Sequence, residues 1–357
     1  MKICCVVGAR PQFVKAAALS RAVQSRNDTI FFVHTGQHYD ANMSEIFFEE
    51  MEIPRPDHQM QVGGLSQGAM TGRMMEQLER VFLDENPDCV TVFGDTNSTL
   101  AGALTATKMH IPVAHIEAGL RSYNKRMPEE INRVLTDHCS DLLFVPTNAS
   151  KENLMREGID EKKIFVVGDI MVDALYYYKE KALKTSKILE KLGVKEKQYV
   201  LATVHRAEST EDSKKLRVIF ESLIEISKSI KVIIPLHPRT RAALKATNLL
   251  DICEKHLEII SPVGYFDMLV LEQGASVIMT DSGGIQKEAY LFQVPCITMR
   301  NETEWRELVD KKYNTLVSPV DDNIVRAYHD CSYPKNWDLS IYGEGNTSQK
   351  ILDVLLL

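Results

Sequence analysis

Residues 278–288 read IMTDSGGIQKE, and this stretch indicates how the whole chain is built. The apolar run from Ala275 to Thr280 predicts a short buried strand, Asp281 to Gly284 predict a turn, and Gln286 to Phe292 have the composition of a helix. A strand that leads through a Ser-Gly-Gly turn into a helix exposes backbone N–H groups, and glycine lets an anion approach them closely. The stretch alone leaves two interpretations open: a diphosphate site, or an ordinary strand–helix turn whose glycines allow tight packing.

The same order of strand, turn and helix recurs along the chain. Apolar runs predict strands at residues 2–7, 29–34, 89–93, 111–116, 142–145, 163–167, 199–204, 231–236, 257–260, 275–280 and 295–299. Asn97 is expected to cap the alanine-rich helix at residues 98–108. Continuous apolar strands that alternate with helices predict parallel sheets covered on both faces. Two successive series therefore predict an α/β fold of two doubly wound, Rossmann-like domains that face each other across a cleft.

Composition and charge exclude several classes of protein. The chain has 357 residues, a formal net charge of −7 and a pI near 5.9, which argue against a nucleic-acid-binding surface. No apolar run approaches the roughly 18 residues of a membrane helix, and no segment resembles a signal peptide. The seven cysteines show neither C-x-x-C nor zinc-type spacing. We therefore expect reduced thiols in a cytoplasmic protein that does not contact membranes.

Polar residues stand directly after many of the predicted strands. In doubly wound sheets, ligands bind beyond the carboxyl ends of the strands, so these residues predict a site formed by both domains. Any one of them alone is more often an ordinary residue of a surface loop, but eight at one edge are harder to explain in that way. The eight are Arg10, Asp95, Glu117, His205, His237, Arg239, Ser282 and Arg300.

The chemistry of this region combines cations with carboxylates. Cations suited to phosphate are Arg10, Lys15, Arg133 and Arg239, and carboxylates that can exchange protons are Asp95, Glu117, Glu129 and Glu130. His205 can change charge near neutral pH. The chain has no metal-binding motif, no G-x-G-x-x-G, no P-loop and no G-x-S-x-G elbow. We therefore expect neither a metal ion nor a cofactor, and a serine hydrolase is disfavoured.

Taken together, these motifs resemble those of the non-hydrolysing UDP-N-acetylglucosamine 2-epimerases, which share the two-domain GT-B architecture. The resemblance runs nearly from end to end. It is carried by GARP at 8–11, GQH at 36–38, GDT at 94–96, HIEAGLR at 115–121, PEEINR at 128–133, TVHR at 203–206, TDSGGIQ at 280–286 and YGEG at 342–345. The resemblance implies inversion at C2 of a UDP-2-acetamido sugar, through elimination of UDP to a 2-acetamidoglucal and re-addition of UDP.

The resemblance also implies roles for individual residues. The positions that match the family's catalytic groups are Asp95, Glu117, Glu129 and His205. The positions that match its nucleotide-binding groups are Arg10, Lys15, Arg133, Ser282, Gly283, Gly284 and Glu288, with the Ser-Gly-Gly turn on the phosphates and Glu288 on the ribose hydroxyls. The full set expected to bind substrate adds His237, Arg239, Met268, Arg300 and Trp305. The family's last helix crosses back, so we expect a first domain of residues 1–166 plus 340–357 and a second of 167–339.

Some positions depart from the common family pattern. Many members read H-R-R-E-N where this chain has HRAES at 205–209, and Trp305 stands where an arginine contacts the ligand. Met268 stands where some members stack an aromatic ring on uracil. Many members read Q-H-R where Tyr39 follows here, which places in doubt an allosteric site for a second UDP-GlcNAc.

These departures look closer to a branch that includes UDP-2,3-diacetamido-2,3-dideoxyglucuronate 2-epimerases as well as UDP-GlcNAc epimerases. A uronate substrate would favour an extra cation, for which Lys125, Arg126 or Arg306 are available. Two further alternatives stay open: a hydrolysing relative that releases free ManNAc and UDP, and a GT-B-like UDP-sugar-binding protein without epimerase chemistry. Because relatives are commonly dimers, we also expect a homodimer.

Overall fold

The computed structural model of the protein describes residues 1–24, 26, 28–37, 55–320 and 323–356. The side chain of Arg10 lies outside this description, so its expected role in phosphate binding is not addressed by the geometry. Tyr39, on which the expectation about a second nucleotide-sugar site rests, also lies outside the described residues.

The described part of the chain divides into two compact units, residues 1–178 with 340–357 and residues 179–339. The first unit contains a parallel sheet of seven described strands in the order β3-β2-β1-β4-β5-β6-β7. Its strands are β1 (Lys2–Val7), β2 (Thr29–His34), β3 (His58–Gln59), β4 (Cys89–Phe93), β5 (Val113–Ile116), β6 (Leu142–Val145) and β7 (Ile164–Val166). The helices along this part are α1 (Arg10–Gln24), α2 (Gln67–Glu85), α3 (Asn97–Lys108), α4 (Pro128–Cys139), α5 (Asn148–Arg156) and α6 (Ile170–Thr185), with a 3-10 turn at Glu161–Lys163.

The second unit repeats this plan with six described parallel strands in the order β10-β9-β8-β11-β12-β13. Its strands are β8 (Tyr199–Thr203), β9 (Lys231–Pro235), β10 (Glu258–Ile260), β11 (Val277–Thr280), β12 (Cys296–Thr298) and β13 (Asn314–Leu316). Its helices are α7 (Ile188–Leu192), α8 (Ala207–Thr210), α9 (Ser213–Ser227), α10 (Pro238–Ala246), α11 (Leu250–His256), α12 (Tyr265–Gly274), α13 (Gly283–Leu291), α14 (Arg306–Asp310) and α15 (Asn323–Asp330). The predicted fold class, two doubly wound α/β units, is confirmed.

Burial explains why these runs form these elements. All residues of Cys89–Phe93 and of Tyr199–Thr203 are buried, as expected for central strands covered by helices on both faces. The helix Ser213–Ser227 shows the other pattern, because its buried side chains recur at three- and four-residue intervals. These are Leu216, Ile219, Phe220, Leu223 and Ile226, and they pack into the core of the second unit.

The C-terminal tail belongs to the first unit, and its last helix, α16 (Thr347–Leu355), is capped by a side chain from α6. The carboxylate of Asp173 accepts hydrogen bonds from the backbone N–H groups of Thr347 (3.0 Å) and Ser348 (2.7 Å). Since Asp173 lies in the N-terminal half of α6, this bond ties that half to the first unit. The first unit therefore extends to Tyr178, beyond the expected boundary after residue 166. No helix in the described ranges is both long and apolar enough to cross a membrane.

Candidate active site

In each sheet the strand order reverses beside the first strand, and the turns at that point carry polar residues. In the first unit, Gln12 of α1 joins the turn after β1 to the turn after β4. Its amide nitrogen donates to the carbonyl oxygen of Phe93 (2.8 Å), and its amide oxygen accepts from the backbone N–H of Gly8 (2.8 Å). The turn that carries Asp95 is therefore fixed to the start of α1.

A buried ion pair lies beside this turn. The ammonium group of Lys15, on α1, contacts the carboxylate of Glu117, which directly follows β5. Lys15 is buried and the Glu117 side chain is 9% exposed, and Glu117 has a left-handed backbone with φ of 70°. A Cβ atom added at Gly94 would lie 3.5 Å from the Lys15 nitrogen and 3.6 Å from a Glu117 oxygen. The backbone before Asp95 thus packs directly on this pair, and the two expected carboxylates lie at neighbouring strand ends.

Arg133 holds the second carboxylate. Its guanidinium lies 2.5 Å from the carboxylate of Asp95 and 3.2 Å from that of Glu130. Asn132, on the same helix, donates to the backbone oxygen of Asp95 (3.0 Å). Arg133 is buried, whereas Asp95 is half-buried. Helix α4 therefore orients Asp95, and the charge of Arg133 lies between two carboxylates of its own unit.

The two glutamates at the start of α4 differ in environment. Glu130 is buried and accepts from the backbone N–H groups of Ser122 (2.9 Å) and Tyr123 (2.8 Å), so it anchors a loop. Glu129 is partly exposed and lies in the first turn of α4, where the helix dipole favours a negative charge. Of the two, Glu129 is the one accessible to solvent and able to exchange a proton with a ligand.

In the second unit, a fully buried carboxylate holds His205. Asp281, directly after β11, accepts from the backbone N–H groups of His205 (3.0 Å) and Arg206 (3.0 Å). The His205 ring lies with Nδ1 3.6 Å from Asp281, and its side chain is 41% exposed. The rings of His205 and His237 are 6.2 Å apart. His205 is therefore held at its backbone and presented to solvent at its ring.

The turn from Ser282 to Gly284 leaves open space in front of a helix N-terminus. Ser282 is the N-cap residue of α13, and its side chain makes no capping bond. A Cβ atom added at Gly283 would come no closer than 3.7 Å to any neighbour, the nearest being the indole nitrogen of Trp305. The guanidinium of Arg206 would be 3.8 Å from the same point. The Ser282 N–H donates to the Thr280 hydroxyl (2.9 Å), whereas the first N–H groups of α13 have no partner within the helix, and together with these donors they suit an anion.

Further cations surround this turn. Arg300 pairs with Glu304 (3.0 Å), and Arg206 lies 3.8 Å from the same carboxylate. The ammonium of Lys287 lies 4.1 Å from the ring centroid of Trp305. Lys287, Arg300 and Trp305 are all buried. Arg206 and Arg300 therefore share the carboxylate of Glu304 beside this turn.

The other expected residues are less closely grouped. His237 caps α10, because its Nδ1 accepts from the backbone N–H of Arg239 (3.2 Å), whereas the Arg239 side chain is exposed. Met268 is partly buried in α12, and Glu288 is buried in α13. Among the residues that the structure describes, no group of three or more His, Cys, Asp or Glu side chains could hold a metal ion.

Sequence reasoning missed the residues that hold the expected ones. Gln12, Asp281 and the pair His115–Asp137 contact the turns that carry the expected catalytic residues, but the sequence patterns do not assign them to the site. The rule that polar residues directly after a strand mark the site, which selects Ser282, also selects Asp281, because Asp281 is the first residue after its strand. His115 is the first residue of the HIEAGLR motif at 115–121. Gln12 gave no sequence signal beyond its place after the first strand.

The fold defines a class of protein: two Rossmann-type α/β units, each with polar side chains at the carboxyl ends of its strands. A family model described as UDP-N-acetylglucosamine 2-epimerase matches residues 21–356. A UDP-2,3-diacetamido-2,3-dideoxy-D-glucuronate 2-epimerase of Pseudomonas aeruginosa is 48% identical, with 99% of both chains covered. A UDP-N-acetylglucosamine 2-epimerase of Methanocaldococcus jannaschii is 43% identical, also with 99% of both chains covered.

A solved structure agrees with these relatives. The crystal structure of the Methanocaldococcus jannaschii UDP-GlcNAc 2-epimerase in complex with UDP-GlcNAc and UDP superposes with a TM-score of 0.94 at 43% identity, covering 100% of this chain and 99% of that chain. The chain belongs to the UDP-N-acetylglucosamine 2-epimerase family. It is therefore an isomerase, and the resemblance drawn from its motifs is confirmed.

Proposed function

We propose that the protein is a non-hydrolysing epimerase that interconverts UDP-GlcNAc and UDP-ManNAc. The observation that carries this proposal is the pair of carboxylates Asp95 and Glu117 at the ends of neighbouring strands, in a chain of this family. Inversion at C2 requires a proton to leave one face of the sugar and return to the other. Two separately held carboxylates are suited to that task.

The proposed reaction has two steps that mirror each other. In the first, a base takes the C2 proton, the C1–C2 double bond forms, and the C1–O bond breaks so that UDP leaves with the electron pair. In the second, an acid returns a proton to the opposite face of C2 while a phosphate oxygen of UDP adds to C1. No water enters, and the atoms balance between UDP-sugar, 2-acetamidoglucal and UDP.

The first unit supplies groups for the proton transfers. Glu117 lies against the ammonium group of Lys15, and Asp95 lies against the guanidinium group of Arg133, so each carboxylate is held in place by a cation. Glu129 offers a third carboxylate that is partly exposed. The assignment of carboxylate to sugar face stays open among these three. The contacts do support Asp95 and Glu117 as carboxylates held in fixed orientations.

The second unit supplies groups for the leaving diphosphate. The indole N–H of Trp305 and the guanidinium of Arg206 both lie within 4 Å of the point where a Cβ atom of Gly283 would stand, next to the N-terminus of α13. Developing negative charge on UDP would be stabilised there in the transition state. His205, held by Asp281, is placed to donate or accept a proton near the same strand end.

A second candidate substrate is UDP-2,3-diacetamido-2,3-dideoxyglucuronate. The observation in its favour is the 48% identity to the Pseudomonas aeruginosa enzyme of that name. The same elimination and re-addition would serve, since both sugars carry a 2-acetamido group. Lys125, Arg126 and Arg306, the cations considered for a uronate, are all exposed in this structure.

Proton NMR of the protein with each UDP-sugar, run separately in D2O, tests the proposal. We expect UDP-GlcNAc to yield UDP-ManNAc with deuterium at C2 and no free ManNAc. Conversion of the diacetamido uronate alone would select the second candidate. Accumulation of free ManNAc would indicate a hydrolysing enzyme, and binding without deuterium uptake would indicate a UDP-sugar-binding protein.

The proposal includes a cytoplasmic homodimer. All seven cysteines are free, and burial raises the pKa of Cys5 and of Cys89 to about 12, which keeps these thiols protonated and unreactive. Free thiols in this number suit a reducing compartment. Light scattering at several concentrations tests the dimer, and a single mass near 40.4 kDa would exclude it.

A further inference from the structure

A buried histidine, His115, connects a row of charged side chains that reaches the protein surface with the turn before Asp95. His115 lies in β5, and its side chain is fully buried together with that of Asp137, on α4. Its Nδ1 lies 2.7 Å from a carboxylate oxygen of Asp137, and its Nε2 lies 2.7 Å from the carbonyl oxygen of Gly94. Both ring nitrogens are therefore engaged, one on each side of the ring.

The donors and acceptors around the ring indicate which of its two nitrogens carry a hydrogen. The carbonyl oxygen of Gly94 can only accept, so Nε2 carries a hydrogen. The Asp137 carboxylate receives hydrogen bonds from Arg121 (2.7 Å) and from the backbone N–H of Gly119 (3.2 Å), both of which can only donate. The adjacent Arg121 guanidinium favours an ionised Asp137 over a protonated one that donates to Nδ1, so we assign a hydrogen to Nδ1 as well.

Burial acts to raise the pKa of the Asp137 carboxyl, but the nearby charges of His115 and Arg121 and their hydrogen bonds outweigh it and lower that pKa. Arg121 also forms two 2.7 Å bonds with Glu157. Arg121 thus joins the carboxylates of Asp137 and Glu157. The exposed His138 lies 3.3 Å from Glu157, at the outer end of the network.

We propose that His115 is held as an imidazolium whose Nε2–H positions the turn from Gly94 to Asp95. It is a positioning residue for the proposed epimerisation, and the inference about its role rests on that proposed function. The protonation state of the ring does not depend on the reaction.

The consequence for the site follows from how Gly94 is held. Its N–H donates to the carbonyl oxygen of Ile116 (3.0 Å), and its own carbonyl accepts from His115. Gly94 has a φ of 62°, and Glu117, directly after Ile116, has a φ of 70°. Both backbone groups of Gly94 are therefore bound to β5 at the point where the two carboxylate-bearing turns meet. Loss of the His115 bond would free the carbonyl and let Asp95 shift relative to Glu117.

Nitrogen-15 NMR of the histidine-labelled full-length protein tests the protonation state without any substitution. We expect both His115 nitrogens to carry directly bonded protons at about pH 8, where an ordinary histidine is neutral. The His115→Gln variant identifies the signal. A His115 ring with one unprotonated nitrogen at that pH would overturn the assignment, because it would mean a neutral ring beside a protonated Asp137.

Steady-state kinetics test the positioning role, once wild-type epimerase activity has been measured. We expect His115→Gln to lower kcat by about tenfold to a hundredfold, as displaced catalytic groups do, with KM and UDP affinity changed less than about twofold. His138→Gln, at the exposed end of the network, should keep the wild-type kcat.

Unchanged kcat in a folded His115→Gln variant would refute positioning, as would an equal loss in both variants. If the wild-type protein shows no epimerase activity, the proposed function fails, while the NMR result still decides the state of the ring. If His115→Gln does not fold, Asp137→Asn provides the second test: removal of the carboxylate charge should cost His115 its Nδ1 proton while Nε2–H and much of kcat remain. An Nδ1 that stays protonated in that variant would contradict the proposal.

Discussion

Replacement of Asp281 should lower both the stability of the second unit and the kcat of the enzyme. Asp281 is fully buried and accepts from two backbone N–H groups, those of His205 and Arg206. Asp281→Ala leaves both donors without this acceptor, at about 1–3 kcal/mol each, so we expect a loss of about 2–6 kcal/mol in the free energy of unfolding. Asp281→Asn keeps one acceptor oxygen and should cost less.

Urea unfolding followed by tryptophan fluorescence measures this loss in the right place, because both tryptophans, Trp305 and Trp337, lie in the second unit. Asp330→Ala is the matched control, since Asp330 is an exposed carboxylate of the same unit paired with Arg326. We expect the control to leave the midpoint unchanged. An Asp281→Ala protein with wild-type midpoint and wild-type kcat would refute the view that this carboxylate holds the turn of His205.

Three further outcomes follow from the geometry. The Gly283→Ala variant should fold normally, because the nearest atom to its new Cβ is 3.7 Å away, but calorimetry should show UDP binding weakened by about tenfold or more. Gly72→Ala is the control, since a Cβ there has no neighbour within 4 Å, and equal UDP affinities of the two variants would contradict the phosphate assignment. Burial lowers the pKa of His34 from 6.5 to about 4, so the unfolded chain binds more protons between these values, and stability should fall by about 3 kcal/mol as the pH decreases through that window. Urea midpoints of His34→Gln should lack this slope; a slope equal to wild type would exclude His34 as its source. Lys15→Met should lower the free energy of unfolding by about 3–5 kcal/mol, because it removes the partner of Glu117. Addition of Glu117→Gln to that variant should recover stability but not turnover. Equal melting temperatures of the single and the double variant would argue against the ion pair.

Most of the fold was predictable because both sheets are parallel and buried on both faces. The strands Cys89–Phe93 and Leu142–Val145 match their predicted bounds, since apolar runs flanked by turn residues have few other structures available. Helix α13 begins at Gly283, three residues before its predicted start, because glycines that usually disfavour a helix form its first turn. Helix α5 was not predicted, because its buried side chains are limited to Ser150 and Leu154 and give a weak pattern.

One local prediction was wrong. Thr96, rather than Asn97, caps α3, and its hydroxyl accepts from the backbone N–H of Thr99 in a reciprocal capping box. Adjacent threonine and asparagine are both good caps, so the sequence does not decide between them. Asn97 instead bonds to Gln67 (2.6 Å) and Asn132 (3.0 Å). Its side chain joins α3 to α2 and α4, which depends on packing that no local pattern reveals.

Positions of site residues were predictable, but their partners were not. The rule that ligands bind beyond strand ends selects Asp95 and Glu117 without any knowledge of helix packing. The partners Arg133 and Lys15 come from helices, and Arg133 is 38 residues away from Asp95 along the chain. Which cation meets which carboxylate depends on how a helix face docks on the sheet. The sequence patterns therefore predict that these cations bind phosphate, whereas in the structure both lie against carboxylates.

The two units use the same device at their strand ends: a buried carboxylate that holds a turn by its backbone. In the second unit, Asp281 binds the N–H groups of His205 and Arg206; in the first, Asp137 binds the N–H of Gly119 and the ring of His115. In the second unit the holder is fully buried and the ring that it presents is partly exposed. Because each holder makes several bonds at once, its turn cannot relax by breaking a single contact. Such turns keep their geometry before a ligand arrives, which is the condition under which fixed dipoles and charges lower a reaction barrier. Asp281→Ala should therefore reduce kcat through the turn that this carboxylate holds, and this separates the role of Asp281 from that of the carboxylates proposed to exchange protons.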